Sequence, residues 1–229
     1  MDKLEHILYH TIFIVGLNMY NNSKYTQNEM SMGYVRVMHT VPDAPNVDIY
    51  ANDKLIVNNL AYGNYTDYLA IPEGTYKISL YVAGTKNSPV LDNMLTVNKN
   101  SILTVAAAGT LSDIGLLAIT DANELRKPGK AMIRFLHLSP NAPAVDITLP
   151  NGTVIFSNIS FKHITSYIDV APMNYTLQVR VAGTSNVVLT VPNVNLNPDK
   201  FYTVYAIGLV GRKPELEALL LLDGENNMK

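Results

Sequence analysis

Two histidines are the strongest candidates for catalytic chemistry in this chain. His39 is followed by Asp43 and Asp48, and His137 is followed by Asp146. A paired histidine and aspartate can act as a general base or bind a metal ion. Each histidine, however, shares a strand face with apolar neighbours and precedes a proline-rich turn whose carbonyl groups need donors. We therefore expect both rings to bond turn backbone, and we expect no catalytic residue, no metal ligand and no cofactor.

Two arginines form the second candidate site, because each recurs with an aspartate at the same spacing. Arg36 precedes Asp48, and Arg134 precedes Asp146, on the predicted outward faces of strands expected to pair like a hairpin. One interpretation is an anion-binding site at each arginine. The alternative, which the paired recurrence favours, is a cross-strand ion pair that contributes about 0.2–1 kcal/mol.

Tyrosine is the abundant aromatic residue, with 14 Tyr against 5 Phe and no Trp. Tyr65 and Tyr68 are the candidate ligand contacts, because exposed rings offer glycans or proteins a large contact area with a polar tip. The ordinary alternative, half-buried tyrosines on a sheet face, is favoured. The tyrosines concentrated in the first half are Tyr50, Tyr62, Tyr65, Tyr68, Tyr76 and Tyr81.

The candidate residues belong to a phrase that the chain contains twice. The sequence from Val35 to Ile49 recurs, with few changes, from Ile133 to Ile147. Each copy predicts a strand, a rigid Pro-x-x-Pro turn and a second strand, because two fixed φ angles exclude a helix. The correspondence continues beyond the phrase, for example from Tyr68 to Tyr167. The chain therefore contains two equivalent domains.

Each copy shows the alternation typical of strands from end to end. The clearest run, Tyr76 to Val82, ends in Ala-Gly-Thr, where glycine can adopt a positive φ. About seven short strands separated by turns are typical of a two-sheet sandwich. The sequence thus predicts an all-β fold of two tandem antiparallel β-sandwich domains, immunoglobulin-like or transthyretin-like, with a short N-terminal arm. The predicted ranges are 1–32 for the arm, 33–120 for the first domain, 121–130 for a linker and 131–229 for the second domain.

Composition limits the possible partners. The chain is 48% hydrophobic and 16% charged, which is enough apolar material for real cores. A net charge of −2 without a basic cluster argues against nucleic acid, and the absence of Cys excludes disulfides and thiol chemistry. The apolar run from Ile7 to Leu17 is too short for a membrane span and lacks the features of a secretory signal. We expect no membrane span and no classical secretion signal.

The repeated phrase also carries a family resemblance. The pattern R-x-x-H-x-x-P-x-A-P-x-V-D occurs from Arg36 to Asp48 and from Arg134 to Asp146, and each copy later contains V-A-G-T. In these motifs and in its duplication, the chain after Gly33 resembles the family called domain of unknown function 4397. The resemblance implies an extracytoplasmic or cell-surface β-sandwich module of bacteria or archaea, and it implies no catalytic residues.

These observations favour a non-enzymatic structural or adhesive protein, associated with the cell surface or envelope. Its expected partners are a protein or a glycan at the surface, with self-association as a further possibility. One alternative is an assembly subunit whose arm, around Ile7 to Val15, adds a strand to the sheet edge of a neighbour. Another is a glycan or small-molecule binding module at the groove between the domains, using the tyrosines and arginines. An enzyme is the least favoured class.

Overall fold

A computed structural model describes residues 31–122 and 127–224 of the chain, and the predicted arm lies almost wholly outside this range. The described chain is all-β, as the sequence predicts, and it forms two sandwiches of eight strands each. The first repeat contains β1 (Met32–His39), β2 (Val47–Ala51), β3 (Lys54–Leu60), β4 (Leu69–Pro72), β5 (Gly74–Val82), β6 (Leu91–Val97), β7 (Ile102–Ala108), a 3-10 helix (Leu111–Asp113) and β8 (Gly115–Thr120).

The second repeat has the same strands in the same order. They are β9 (Ala131–His137), β10 (Val145–Thr148), β11 (Val154–Ile159), β12 (Ile168–Val170), β13 (Asn174–Val181), β14 (Val187–Asn195), β15 (Phe201–Ile207) and β16 (Glu217–Asp223). The last of these strands, β16, contains four consecutive leucines.

Each repeat is built from two four-stranded sheets. In the first repeat, the inner sheet has the order β4-β1-β7-β8 and the outer sheet β3-β2-β5-β6. In the second, the inner sheet is β12-β9-β15-β16 and the outer sheet β11-β10-β13-β14. One pair in each inner sheet, β1 with β7 and β9 with β15, is parallel, and the other strand pairs of the described chain are antiparallel.

Three apolar layers hold the four sheets together. One layer, around Val37 and Leu80, fills the first sandwich, and a second, around Phe135 and Val179, fills the other. The third lies between the two inner sheets and contains Met38, Ala106, Ala108, Ile119, Leu136, Leu138, Tyr205, Ile207 and Leu221. Both inner sheets are thus covered on both faces, which explains why every residue of β7, β9 and β15 is buried.

The two repeats lie side by side with equivalent ends together. At one end, called here the chain end, Ser31 begins the described chain, Asp121 bonds the carbonyl of Ile102, and Gly224 lies against Ala122. At the opposite end, called the loop end, Gly63 of the first repeat lies next to Glu217 and Ile207 of the second. The Pro-x-x-Pro turns and the Ala-Gly-Thr turns of both repeats are at the loop end.

Candidate functional site

A buried cluster of charges joins the two repeats near the chain end. Arg36 in β1 donates from Nη2 to Oδ1 of Asp223 at 2.7 Å and from Nη1 to the carbonyl of Leu222 at 2.9 Å. The same guanidinium donates to the hydroxyl of Thr104 in the neighbouring strand β7. A residue of the first repeat is thereby bonded to the last strand of the second.

The arginine of the second repeat makes the equivalent set of bonds to the first repeat. Arg134 in β9 donates from Nη2 to Oδ1 of Asp121 at 2.5 Å and from Nη1 to the carbonyl of Thr120 at 2.8 Å. Its Nε donates to the hydroxyl of Thr203 in β15. Arg36 therefore reaches the final residue of β16, Asp223, and Arg134 reaches Asp121, which directly follows β8, so the two pairs are reciprocal. We call Arg36, Asp121, Arg134 and Asp223 the ion cluster.

Tyrosine and threonine hydroxyls donate hydrogen bonds to the second oxygen of each carboxylate. Tyr68 donates to Oδ2 of Asp121 at 2.6 Å, and Tyr167 donates to Oδ2 of Asp223 at 2.9 Å. The guanidiniums also lie over these rings, with Arg36 Cζ 4.7 Å from the Tyr68 centroid and Arg134 Cζ 4.3 Å from the Tyr167 centroid. Thr104 and Thr203 add one hydroxyl donor to each carboxylate.

The ion cluster is almost entirely removed from solvent. The side chains of Arg36, Asp121 and Asp223 are 0% exposed and that of Arg134 is 6% exposed. Two positive and two negative charges balance, so the cluster buries no net charge. Burial first, and then the charge of Asp223, raises the pKa of Asp121, against the opposing effect of the two guanidiniums. Burial and the adjacent carboxylates likewise raise the pKa of Tyr68 and Tyr167.

The predicted cross-strand ion pairs of Arg36 with Asp48 and of Arg134 with Asp146 are wrong. The Pro-x-x-Pro turn carries the chain from the inner sheet to the outer sheet, so β1 and β2 do not form a hairpin. Residues on their outward faces therefore point to opposite sides of the sandwich. Asp121, predicted to begin a linker, is instead buried at the ion cluster, 2% exposed.

Asp48 and Asp146 have a local structural role in the outer sheets. Asp48 accepts the backbone N–H of Asn59 at 2.7 Å and that of Gly84 at 2.8 Å. Asp146 makes the same two bonds with Asn158 and Gly183. Both asparagines have a positive φ beside a register shift in the ladder, so each aspartate bridges a bulge and a turn.

The structural interpretation of the two histidines is confirmed. His39 is 0% exposed, its Nε2 lies 3.0 Å from the carbonyl of Pro45, and its Nδ1 accepts the N–H of Val41. His137 makes the equivalent contacts with Pro143 and Ser139. Because a backbone N–H can only donate, the proton lies on Nε2 and each ring is neutral. Burial lowers the pKa of both rings, in keeping with this assignment.

The tyrosines of the first repeat are mostly covered, as the favoured interpretation predicts. Tyr68 and Tyr81 are each 9% exposed, whereas Tyr65 is 44% exposed and lies 6.0 Å from Arg36. The sequence brought Arg36, Arg134 and Tyr68 to attention but missed Asp121 and Asp223. Their signal was present, because Asp223 is the final residue of β16 and Asp121 directly follows the equivalent strand β8.

The described residues, 31–122 and 127–224, contain neither a group of three acidic or imidazole side chains that could bind a metal ion nor a helix suited to crossing a bilayer. The profile described as "Domain of unknown function (DUF4397)" matches residues 33–148 and 149–229. No curated protein matches the chain.

One similar solved structure is a leucine-rich repeat protein from Bacteroides thetaiotaomicron. The identity is 17%, the TM-score is 0.20, and the match covers 79% of this chain and 26% of that one. The chain therefore corresponds to about a quarter of that protein's length.

Proposed function

This chain belongs to the family of the domain of unknown function 4397, and we propose that it is a non-enzymatic structural or adhesive module of the cell surface or envelope. The observation that carries the proposal is the arrangement of the two repeats. The ion cluster fixes them side by side, with their turns together at the loop end and the chain's connections at the chain end.

The joint between the repeats supports a role that depends on fixed geometry. Domains within one chain commonly move relative to each other unless their interface is large and apolar. Here a third apolar layer and four buried charges occupy that interface. Any hinge motion would expose paired charges and apolar side chains together, so the two sets of turns keep one spacing.

The loop end supports adhesion, because it combines exposed polar and apolar groups on a rigid base. Loops displayed by a fixed scaffold are the usual place for binding residues. The first repeat presents Asp43 and the 41% exposed Leu111 there, and the second presents Arg212 and Lys213. A partner that contacts the loop end would meet both repeats at once.

The use of the polar residues inside the fold supports a non-enzymatic role. Both nitrogens of His39 and His137 are occupied by backbone groups, and both arginines of the ion cluster are bonded to carboxylates. A general base needs a free lone pair within reach of a substrate proton. These side chains offer none in this arrangement.

Adhesion can be tested by tethering the protein at either end. The chain has no cysteine, so one introduced cysteine gives a single attachment point. Lys99→Cys lies in an exposed turn at the chain end, and Ser112→Cys lies in an exposed turn at the loop end of the same repeat. Beads carrying each variant are applied to a glycan array and to a panel of extracellular proteins. We expect beads tethered through Lys99→Cys to bind at least about tenfold better.

A second measurement tests the location. Intact cells that make the protein are treated with a protease, and loss of the protein is followed by immunoblot against a cytoplasmic marker. Digestion of the protein with the marker preserved agrees with a surface role. Full protection of the protein in intact cells would reject the surface assignment.

In the bead experiment, equal binding by both bead types would reject the loop end as the adhesive surface.

The assembly-subunit alternative, with its predicted arm, involves residues outside the described range. It is tested by light scattering on the full chain and on a version that begins at Ser31. The version should retain Ser31 and Met32, because their carbonyls accept the N–H groups of Glu73 and Asn100. Association by the full chain alone would favour strand addition, and identical masses would reject it.

A further inference from the structure

The two inner faces that meet between the repeats are equivalent in position but unequal in size. Strand β7 contributes Ala106 and Ala108 to the interface, whereas the equivalent residues of β15 are Tyr205 and Ile207. All four are fully buried or nearly so in the layer between the inner sheets. The first repeat thus presents a recessed face, and the second presents a raised one.

The ion cluster does not distinguish one repeat from the other. Each face contributes one arginine and one aspartate, in equivalent positions and with the same hydroxyl partners. Two copies of the same face would bring together the same four charges. Any preference between like and unlike pairs must therefore come from the apolar part of the interface.

The apolar part does favour unlike pairs. Two raised faces would place a Tyr205 side chain at both equivalent positions, which overpacks the layer. Two recessed faces would place Ala106 at both, which leaves a cavity. Only the unlike pair combines one large and one small side chain at these positions.

We infer that the inner faces are interaction surfaces selective for the unlike repeat, and that their selectivity depends on the volume of Tyr205. The partner that fits the inner face of the first repeat is the second repeat, either in the same chain or in a second copy of it. This inference concerns how the repeats recognise each other and does not depend on the proposed surface role.

The hydroxyl of Tyr205 makes the volume argument specific. Tyr205 is 0% exposed, and its hydroxyl has no hydrogen-bond partner among the described atoms. An unsatisfied buried hydroxyl costs free energy. Because the hydroxyl makes no hydrogen bond in the interface, we attribute the selectivity at this position to the volume of the ring.

The experiment separates the repeats within the complete chain. A protease site is inserted at residues 123–126, and the purified protein is cut, unfolded in urea and refolded as a mixture, so that like and unlike pairs compete. Native mass spectrometry distinguishes the three possible pairs, because the two pieces differ in mass. Tyr205→Phe keeps the ring volume and serves as the control for Tyr205→Ala, which removes it.

We expect unlike pairs to exceed like pairs by at least about tenfold, which corresponds to about 1.4 kcal/mol. Tyr205→Phe should preserve this ratio, and Tyr205→Ala should lower it and allow pairs of the second repeat. Like and unlike pairs in statistical proportion would overturn the inference. It would also be overturned if the pieces fail to pair after refolding together, or if Tyr205→Ala leaves the ratio unchanged.

Discussion

Arg36 and Asp223 are bonded at 2.7 Å although 187 residues separate them in the chain. The bond joins the first strand of the first repeat to the last strand of the second. Arg134 and Asp121 make the equivalent bond in the opposite direction. The two repeats are thus joined by reciprocal ion pairs, each between an arginine of one repeat and an aspartate of the other.

Removing one charge from the ion cluster should destabilise the protein strongly. Arg36→Met removes the 2.7 Å ion pair of the buried Asp223 and leaves it only the 3.9 Å pair with Arg134, and we expect a loss of about 3–5 kcal/mol in the free energy of unfolding. Arg212→Met, the same substitution at an exposed position, should change it by less than about 0.5 kcal/mol. Urea unfolding followed by fluorescence measures both.

A double-mutant cycle checks the pairing itself. Arg36→Met combined with Asp223→Asn should cost less than the sum of the single variants, because neither charge is then left alone. Strict additivity would show that the two residues are not coupled and would contradict the described ion cluster.

The tyrosine hydroxyls on the carboxylates should contribute more than an ordinary tyrosine hydrogen bond. Tyr68→Phe removes a donor to the buried carboxylate of Asp121, and bonds to charged groups are worth about 1.5–3 kcal/mol. Tyr76→Phe removes a bond to the carbonyl of Pro72, worth about 0.5–1.5 kcal/mol. Thermal unfolding of the two variants gives the comparison, and an equal or reversed order would contradict it.

Stability should fall as the pH decreases from about 7 to 5. The pKa of His39 and His137 is lowered in the folded state, so over this range the unfolded state binds protons that the folded state does not. The free energy of unfolding therefore decreases with falling pH. It is measured by urea unfolding at several pH values.

The matched variants for this pH dependence are His39→Gln with His137→Gln, and His163→Gln as the control at an exposed position. The double variant should show a flatter dependence between pH 7 and 5. A slope that the double variant leaves unchanged would assign the effect to other groups.

Two glycines of the first repeat should respond differently to alanine. Both have a positive φ, +118° at Gly109 and +76° at Gly84. A Cβ at Gly109 would collide with the backbone carbonyl of Asp113, whereas a Cβ at Gly84 meets no atom. Gly84→Ala should cost about 1–2 kcal/mol from backbone conformation alone.

Gly109→Ala should lower the free energy of unfolding by more than about 4 kcal/mol, because the backbone must also move. Circular dichroism during thermal unfolding measures both variants. Similar melting temperatures would mean that the turn after β7 is looser than described.

The sequence predicted local structure well because local rules decide it. Alternation located the strands, the prolines located turns but not that these turns cross between sheets, and the parity of His39 with Val37 predicted its buried, backbone-bonded ring. The same parity placed Arg36 on the opposite face, which is correct. What parity does not specify is the neighbour that covers that face.

The missing information was therefore the packing of one repeat against the other. The sequence predicted a pair of Arg36 with Asp48 because the two recur together on strands expected to form a hairpin, yet the partner of Arg36 lies in the other repeat. A run such as Ile102 to Ala108, apolar on both faces, was the physical sign of a doubly covered sheet. Asp121 and Asp223, which recur at equivalent positions of the two repeats, were the carboxylates available to pair with the arginines.

The shared position of Ser31 and Gly224 at the chain end determines how mechanical load passes through the protein. Tension applied at these two residues would enter at the same end of the molecule, close to the strands around the ion cluster. The turns at the loop end lie at the opposite end. A pull on these two residues would therefore act on the ion cluster before it reaches the turns at the loop end.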